Sequence, residues 1–360
     1  MDEIVAAASA LLGERLSDPA DLGGGRSLVL RCRTAAGGTV VVKSYRATPD
    51  GARSFAAEEA GLAFTGAAGV GPRLLAADPA AAVIVMSDLG DAPSLADVLL
   101  GESPAVAESA LLSWARACGR LAAATAGRED ELASLTRGAP RPRLAEMLRE
   151  GCDVLAERAA AAGVAVPAGL DADLAGLASV IGPCPHQVFS PGDLCPDNNL
   201  LTADGFRFLD YEAAGFHCVF LDAAYVRMPF STCWCVFRLP GELAAAAEAV
   251  YRSEVAGVHP ELAADEVWQR GVRLAMAAWT ADMTDWLLDS ALAADRPMDD
   301  VRPSPTARQL LRYRWQTLAE ELDGAREMPV LSELMRRLLA ATEGWDVPGL
   351  PGYPAFRPAR

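Results

Sequence analysis

Lysine is almost missing from this 360-residue chain: of its 32 basic residues, only Lys43 is not arginine. Also missing is any uninterrupted apolar run of about 18 residues, the length that reads as a membrane-spanning helix. The opening Met1-Asp2-Glu3 is acidic where a secretory signal would be basic. Together these absences predict a soluble, cytoplasmic protein. Zinc-type spacing is lacking as well. The eight cysteines, at 32, 118, 152, 184, 195, 218, 233 and 235, are scattered, and Cys233-Trp234-Cys235 has neither a second pair nor histidines at ligand spacing. They read as buried thiols in a reducing compartment, in a chain too long to need disulfide staples. Basic charge is short overall: 48 Asp and Glu against 32 Arg and Lys leave a net charge of −16. That balance argues against nucleic acid or an anionic membrane as the main partner. It fits a cationic small molecule, and equally a surface charged only for solubility.

What is present starts from the lone lysine. Arginine does the ordinary surface work in this alanine-rich sequence, a bias that points to a GC-rich genome. A surviving lysine therefore marks a place where a compact ammonium is required and a planar guanidinium is not. Lys43 ends the apolar, β-branched run Thr39 to Val42, which follows Leu28-Val29-Leu30 across the turn Gly37-Gly38. Before that hairpin stands Leu22-Gly23-Gly24-Gly25-Arg26-Ser27, a loop whose backbone N–H groups could approach phosphates closely. Residues 2–16 have helical apolar spacing, as do 52–66 beyond the lysine, and Ala82-Val83-Ile84-Val85-Met86 reads as a buried strand.

From Ser94 the pattern is mostly helical. Ser94 with Asp97 is a capping signal, Ser103-Pro104 opens a helix, and the break Ala139-Pro140-Arg141-Pro142 precedes another. Further helices are expected from Asp171, over 241–255, 264–293, 305–322 and 329–341, and the tail from Trp345 reads as extended.

One stretch organises the rest. In Ser190 to Leu201 an aspartate, Asp193, is followed five residues later by Asn198, and Asp204-Gly205 then joins two short apolar runs as a hairpin turn before Asp210. Phosphoryl transfer needs that set: a carboxylate to receive the proton of an attacking hydroxyl, and oxygen ligands for Mg2+ across nucleotide phosphates. Asp193 suits the first role, Asn198 and Asp210 the second.

The run Gly192-Asp193-Leu194-Cys195-Pro196-Asp197-Asn198 resembles the H-G-D-x-x-x-x-N loop of aminoglycoside phosphotransferases and choline-kinase-type enzymes. Asp210-Tyr211-Glu212 resembles their D-x-E metal site, and Asp222-Ala223-Ala224 the D-x-A segment beyond it. The resemblance implies an α+β, bilobal protein kinase-like fold, with a small antiparallel-sheet lobe over residues 1–89 and a larger helical lobe over 90–360. It implies ATP or GTP with Mg2+, and transfer of the γ-phosphate to a hydroxyl of a small molecule, such as a cationic antibiotic or a biosynthetic intermediate. Lys43 would hold the α- and β-phosphates and be clamped by a helix glutamate; Glu58 fits the family spacing better than Glu59. Gly24, Gly25 and Ser27 would lie over the phosphates, while Met86, the Ser87 carbonyl and the Leu89 N–H would face the base. Glu212 and the acidic series Asp282, Asp285 and Asp289 would meet the acceptor's ammonium groups, although that series also reads as a solvated helix face.

One departure stands out. Pro191 replaces the family's histidine; it fixes its own φ and donates no hydrogen bond, so the loop's brace falls elsewhere, with Ser190 the candidate. His186 is read as structural. A peptide Ser/Thr kinase would share every one of these nucleotide-site residues, and a catalytically silent nucleotide-binding module is a further alternative. Both monomer and homodimer are compatible with the sequence.

Overall fold

The computed structural model describes residues 1–23, 27–136, 144–228, 230 and 232–357. Five strands form an antiparallel sheet: β1 (Ser17–Asp21), β2 (Ser27–Arg33), β3 (Thr39–Tyr45), β4 (Leu74–Asp78) and β5 (Val83–Ser87), in the order β1-β2-β3-β5-β4. Alternation along β3 sorts its side chains between two faces. Val40 and Val42 enter a small core with Leu30, Val83, Val85 and Ala8 of the first helix, Asp2–Leu12. Lys43 and Tyr45 project to the other side, with Lys43 in register with Val29 on β2 and Ile84 on β5. The first helix is shorter than expected, because Gly13 ends it at φ 69°. Leu16 still reaches the core from beyond that cap.

β1 was not legible in the sequence. Its Ser-Asp-Pro-Ala-Asp run has no apolar alternation, and a proline is tolerated there because the strand lies on the sheet edge. The helix Pro49–Thr65 lies across the second face of the sheet, opened by the Thr48 side chain accepting from the Gly51 N–H. Gly61 on this helix lets it meet the segment after Asp210 closely: a Cβ there would stand 2.9 Å from Tyr211 Cδ1 and Ala214 Cβ.

Beyond Ser87 the described residues are mostly helical, with two small two-stranded antiparallel pairs. Ser94 and Asp97 form a complete capping box on Leu95–Leu99, an arrangement worth about 1 kcal/mol. Strands β6 (Gln187–Ser190) and β9 (Gly215–Cys218) pair antiparallel, as do β7 (Asn199–Thr202) and β8 (Gly205–Phe208), joined at Asp204-Gly205 as expected. β9 and the helix Val219–Arg227 carrying Asp222 had no sequence expectation. The helix expected from Asp171 is two short ones, Leu170–Gly176 and Ala178–Ile181. The Pro140–Pro142 break falls outside the described residues. The tail lies on the helical body: Tyr353 is fully buried and its hydroxyl donates to the Cys235 carbonyl at 2.8 Å. No helix among the described residues is long and apolar enough to cross a membrane.

Candidate active site

A cleft of about 690 Å³ opens between the sheet and the helical body. Its sheet side is formed by Ser27, Val29, Val41 and Lys43, its back by Met86, Ser87 and Leu89, and its floor by Asp193, Asn198, Leu209 and Asp210. Lys43, only 5% exposed, meets three carboxylates brought from two distant segments. Its Nζ lies 2.7 Å from Glu58 Oε2, 2.9 Å from Asp210 Oδ1 and 3.7 Å from Glu212 Oε2. Glu58, not Glu59, makes the clamp, and its Oε2 also accepts from the Tyr45 hydroxyl at 3.0 Å and the Tyr211 N–H at 3.3 Å.

Burial works against the charge of Lys43, Glu58 and Asp210. It pulls the Lys43 ammonium down, yet the fields of Glu58, Asp210 and Glu212 outweigh it and leave the lysine raised. Burial pushes Glu58 up to about 7 against the pull of Lys43. For Asp210 the balance reverses: burial raises it, but Lys43 and the Glu212 N–H hold it below the ordinary aspartate value. Asp193 is pushed up to about 6, chiefly by burial and then by the charge of Asp210, against the N–H of Cys195, which donates to Oδ1 at 3.0 Å. A carboxyl poised there is ionised at neutral pH and still basic enough to take a proton.

The catalytic-type loop is braced without a histidine at 191. Gly192 turns at φ +87°, where a Cβ would come within 2.1 Å of the Ala213 carbonyl oxygen, so the turn requires glycine. Its N–H donates to Ser190 Oγ at 3.2 Å. Ser190 Oγ in turn donates to Asp222 Oδ1 at 3.2 Å, and His217 Nε2 lies 2.8 Å from the same oxygen. Ser190, Asp222 and His217 therefore form a continuous polar tie beneath the loop. His186 takes no part: it pairs with Glu261 at 2.9 Å and packs on Phe220.

No protein family matches the sequence, and no curated protein does. Solved structures do match. A choline kinase from Cryptosporidium parvum superposes with a TM-score of 0.55 at 14% identity, over 88% of this chain and 93% of that one. A choline kinase from Streptococcus pneumoniae gives 0.52 at 13%, over 90% and 98%. A macrolide 2′-phosphotransferase from Brachybacterium faecium gives 0.51 at 17%, over 91% and 100%. This chain has the bilobal protein kinase-like fold.

Within that kinase-like frame, one set of expected residues falls elsewhere and another is not among those described. Gly24 and Gly25 lie outside the described residues. Asp282, Asp285 and Asp289 do share one side of the helix Asp265–Ala293, but they do not line the cleft. They correct the expectation of an ammonium-binding face. Arg158 of the helix Leu144–Ala161 takes Asp285 and Asp289, each at 2.6 Å, and Asp282 is buried where that helix crosses at Gly151.

The wall of the cleft beyond Asp193 was not foreseen. Asp197, Thr232, Cys233, Trp234 and Arg302 form it. The Trp234 N–H donates to Asp197 Oδ2 at 2.6 Å, and the Arg302 guanidinium stacks 3.6 Å from the centre of the indole while Asp299 accepts from its Nε and Nη2. The Cys-Trp-Cys triplet was the one available signal for this wall, and its position two segments away from the loop concealed the connection.

Proposed function

We propose that the chain is an ATP-dependent phosphotransferase that moves the γ-phosphate of a nucleotide to a hydroxyl of a small molecule. The observation that carries this reading is the convergence of Lys43, Glu58, Asp193, Asn198 and Asp210 on one cleft large enough for a nucleoside triphosphate. Residues 1–89 serve as the nucleotide lobe and 90–360 as the catalytic and acceptor lobe. Several solved structures of the same fold bear names of small-molecule phosphotransferases, which adds support.

Lys43, fixed by Glu58, places its ammonium against the α- and β-phosphates. Met86, Ser87 and Leu89 border the purine end. Asp210 and Asn198 form an oxygen donor set that suits Mg2+, a hard ion that prefers carboxylate and amide oxygens. When bound there, the ion neutralises phosphate charge during transfer. Asp193 orients the acceptor hydroxyl and accepts its proton. Positioning and charge stabilisation supply most of the rate in this chemistry, since little covalent work falls to the protein. The acidic helix face no longer argues for a cationic acceptor. The groups nearest the acceptor are those of the Asp197, Trp234 and Arg302 wall.

The test is a Mg2+-dependent transfer assay with ATP and GTP against hydroxylated acceptors: aminoglycosides, macrolides, amino alcohols, nucleosides and a serine-containing peptide. Transfer to a small acceptor is the expected result. Nucleotide binding with neither transfer nor hydrolysis would make the chain a silent binding module, and exclusive transfer to the peptide would move it to the protein kinases.

A further inference from the structure

The acceptor wall carries a second donor set, chemically unlike the first. Cys195 and Asp197 come from the loop that bears Asp193, and Cys233 comes from the segment after the helix Val219–Arg227. One ligand atom from each of the three lies within 4.8 Å of the other two. In a tetrahedral Zn2+ site with ordinary bond lengths, neighbouring ligand atoms stand roughly 3.3–3.8 Å apart, so closure needs shifts of about an ångström or less. We propose that Cys195, Asp197 and Cys233 bind a thiophilic divalent metal, Zn2+ by preference.

Three features around the cluster suit that role. Cys195 Sγ has two hydroxyls beside it, Tyr225 Oη at 3.5 Å and Thr232 Oγ1 at 3.8 Å, and either can donate to a thiolate sulfur. Asp197 is held by Trp234 through Oδ2 alone, while its Oδ1 faces Cys233 Sγ at 3.8 Å. An outer donor that fixes a carboxylate ligand while leaving its other oxygen for the ion is a regular feature of metal sites. All three residues also line the cleft, so a bound ion keeps one tetrahedral position open to the acceptor space. Cys235, with its Sγ 2.8 Å from that of Cys233, is wholly buried and does not reach the cleft.

Ligand softness separates the two donor sets. Thiolates favour Zn2+ and reject Mg2+, whereas the oxygens of Asn198 and Asp210 do the reverse. On the transfer reading, an ion at Cys195 and Cys233 occupies acceptor space next to Asp193. It would raise the acceptor KM and leave nucleotide affinity unchanged.

The metal alone tests the site. Full-length protein, freed of metal by a chelator and kept reduced with a phosphine, is titrated with Co2+. The expected result is a sulfur-to-cobalt charge-transfer band with the visible bands of a tetrahedral ion, abolished by one equivalent of Zn2+ and untouched by excess Mg2+. Loss of an outer partner already costs 10–100-fold in metal affinity, so Cys233→Ser and Asp197→Asn should each weaken binding by at least about tenfold. Cys184→Ser, outside that group of ligands, should not. Asp197 is half-buried and its asparagine variant can still accept from Trp234, which keeps the test open if the cysteine variants fold poorly. Absence of the band in the wild type overturns the proposal, as does a band that survives both Cys195→Ser and Cys233→Ser, or affinity unchanged in Asp197→Asn. Neither nucleotide nor turnover is needed, so this outcome is separate from that of the transfer assay.

Discussion

Two acidic clusters in this molecule are built from the same residue types and do opposite things. In the cleft, Glu58, Asp210 and Glu212 arrive from separate segments and surround a single buried lysine. On the helix Asp265–Ala293, Asp282, Asp285 and Asp289 follow one another along one side, and one half-exposed arginine from a neighbouring helix meets the last two. The first arrangement spends burial energy to fix a cation where a phosphate chain would lie. The second joins two helices. Spacing along a helix says which residues share a face; it does not say whether that face looks into a cleft or onto another helix.

The comparison breaks most visibly at one aspartate from each region, Asp193 in the cleft and Asp285 on the helix. Asp193→Asn should cut kcat by about 10²- to 10⁴-fold, the usual cost of losing a general base, with nucleotide affinity retained in a thermal-shift titration. Asp285→Asn should leave kcat within about twofold, because among the described residues its carboxylate is ion-paired only with Arg158, and it does not line the cleft. Equal losses in the two variants would erase the distinction. Second in size is the pH dependence. Asp193 must be ionised to accept a proton and is held up to about 6, so kcat/KM should fall about tenfold per pH unit below that value and level off above it. A flat profile down to pH 5 would remove Asp193 from the proton path.

The loop brace comes next. Ser190→Ala strips the Gly192 N–H of its acceptor and Asp222 of a donor, and an orphaned buried polar group costs about 1–3 kcal/mol. The expected signature is a fall in kcat with little change in nucleotide KM, partly restored by Ser190→Thr, which keeps the hydroxyl. A simple stability defect would instead lower the melting midpoint and leave the kinetics of the folded fraction intact.

How far these contrasts could be read from sequence depended on distance along the chain. Lys43 was visible because composition isolates it, and Asp193, Asn198 and Asp210 because they fall within one loop and hairpin. The kinase-like fold was implied by the family resemblance those motifs carry, and the switch from β-branched runs to helical periodicity after Ser87 agreed with it. By contrast, Trp234 reaches Asp197 only after the helix Val219–Arg227, and Arg302 only after two further helices, a path that no local pattern encodes. Asp222 was placed by resemblance, but its partner His217 sits on a four-residue strand too short to show alternation. The helix acids were misread for the reason given above: periodicity put them on one face, and only the packed structure shows Arg158 opposite Asp285 and Asp289 and Gly151 against Asp282.

The smallest effect sharpens the comparison from the structural side. Asp282 is buried with no cation paired to it among the described residues, and burial, followed by the charges of Asp285 and Glu150, pushes it up to about 7. Its ordinary aspartate value applies in the unfolded chain, so the folded state binds a proton more tightly. The stability tied to that proton is therefore present at acid pH and is lost as pH rises from the ordinary aspartate range through about 7. Asp282→Asn removes the titration. Its melting midpoint should exceed that of the wild type by a few degrees at about pH 8, and the gap should narrow steadily toward about pH 5. Kinetics at saturating substrate should not move. If the variant instead lost transfer activity at every pH with its midpoint unchanged, the helix acids would belong to the cleft after all, and the division drawn between the two clusters would fail.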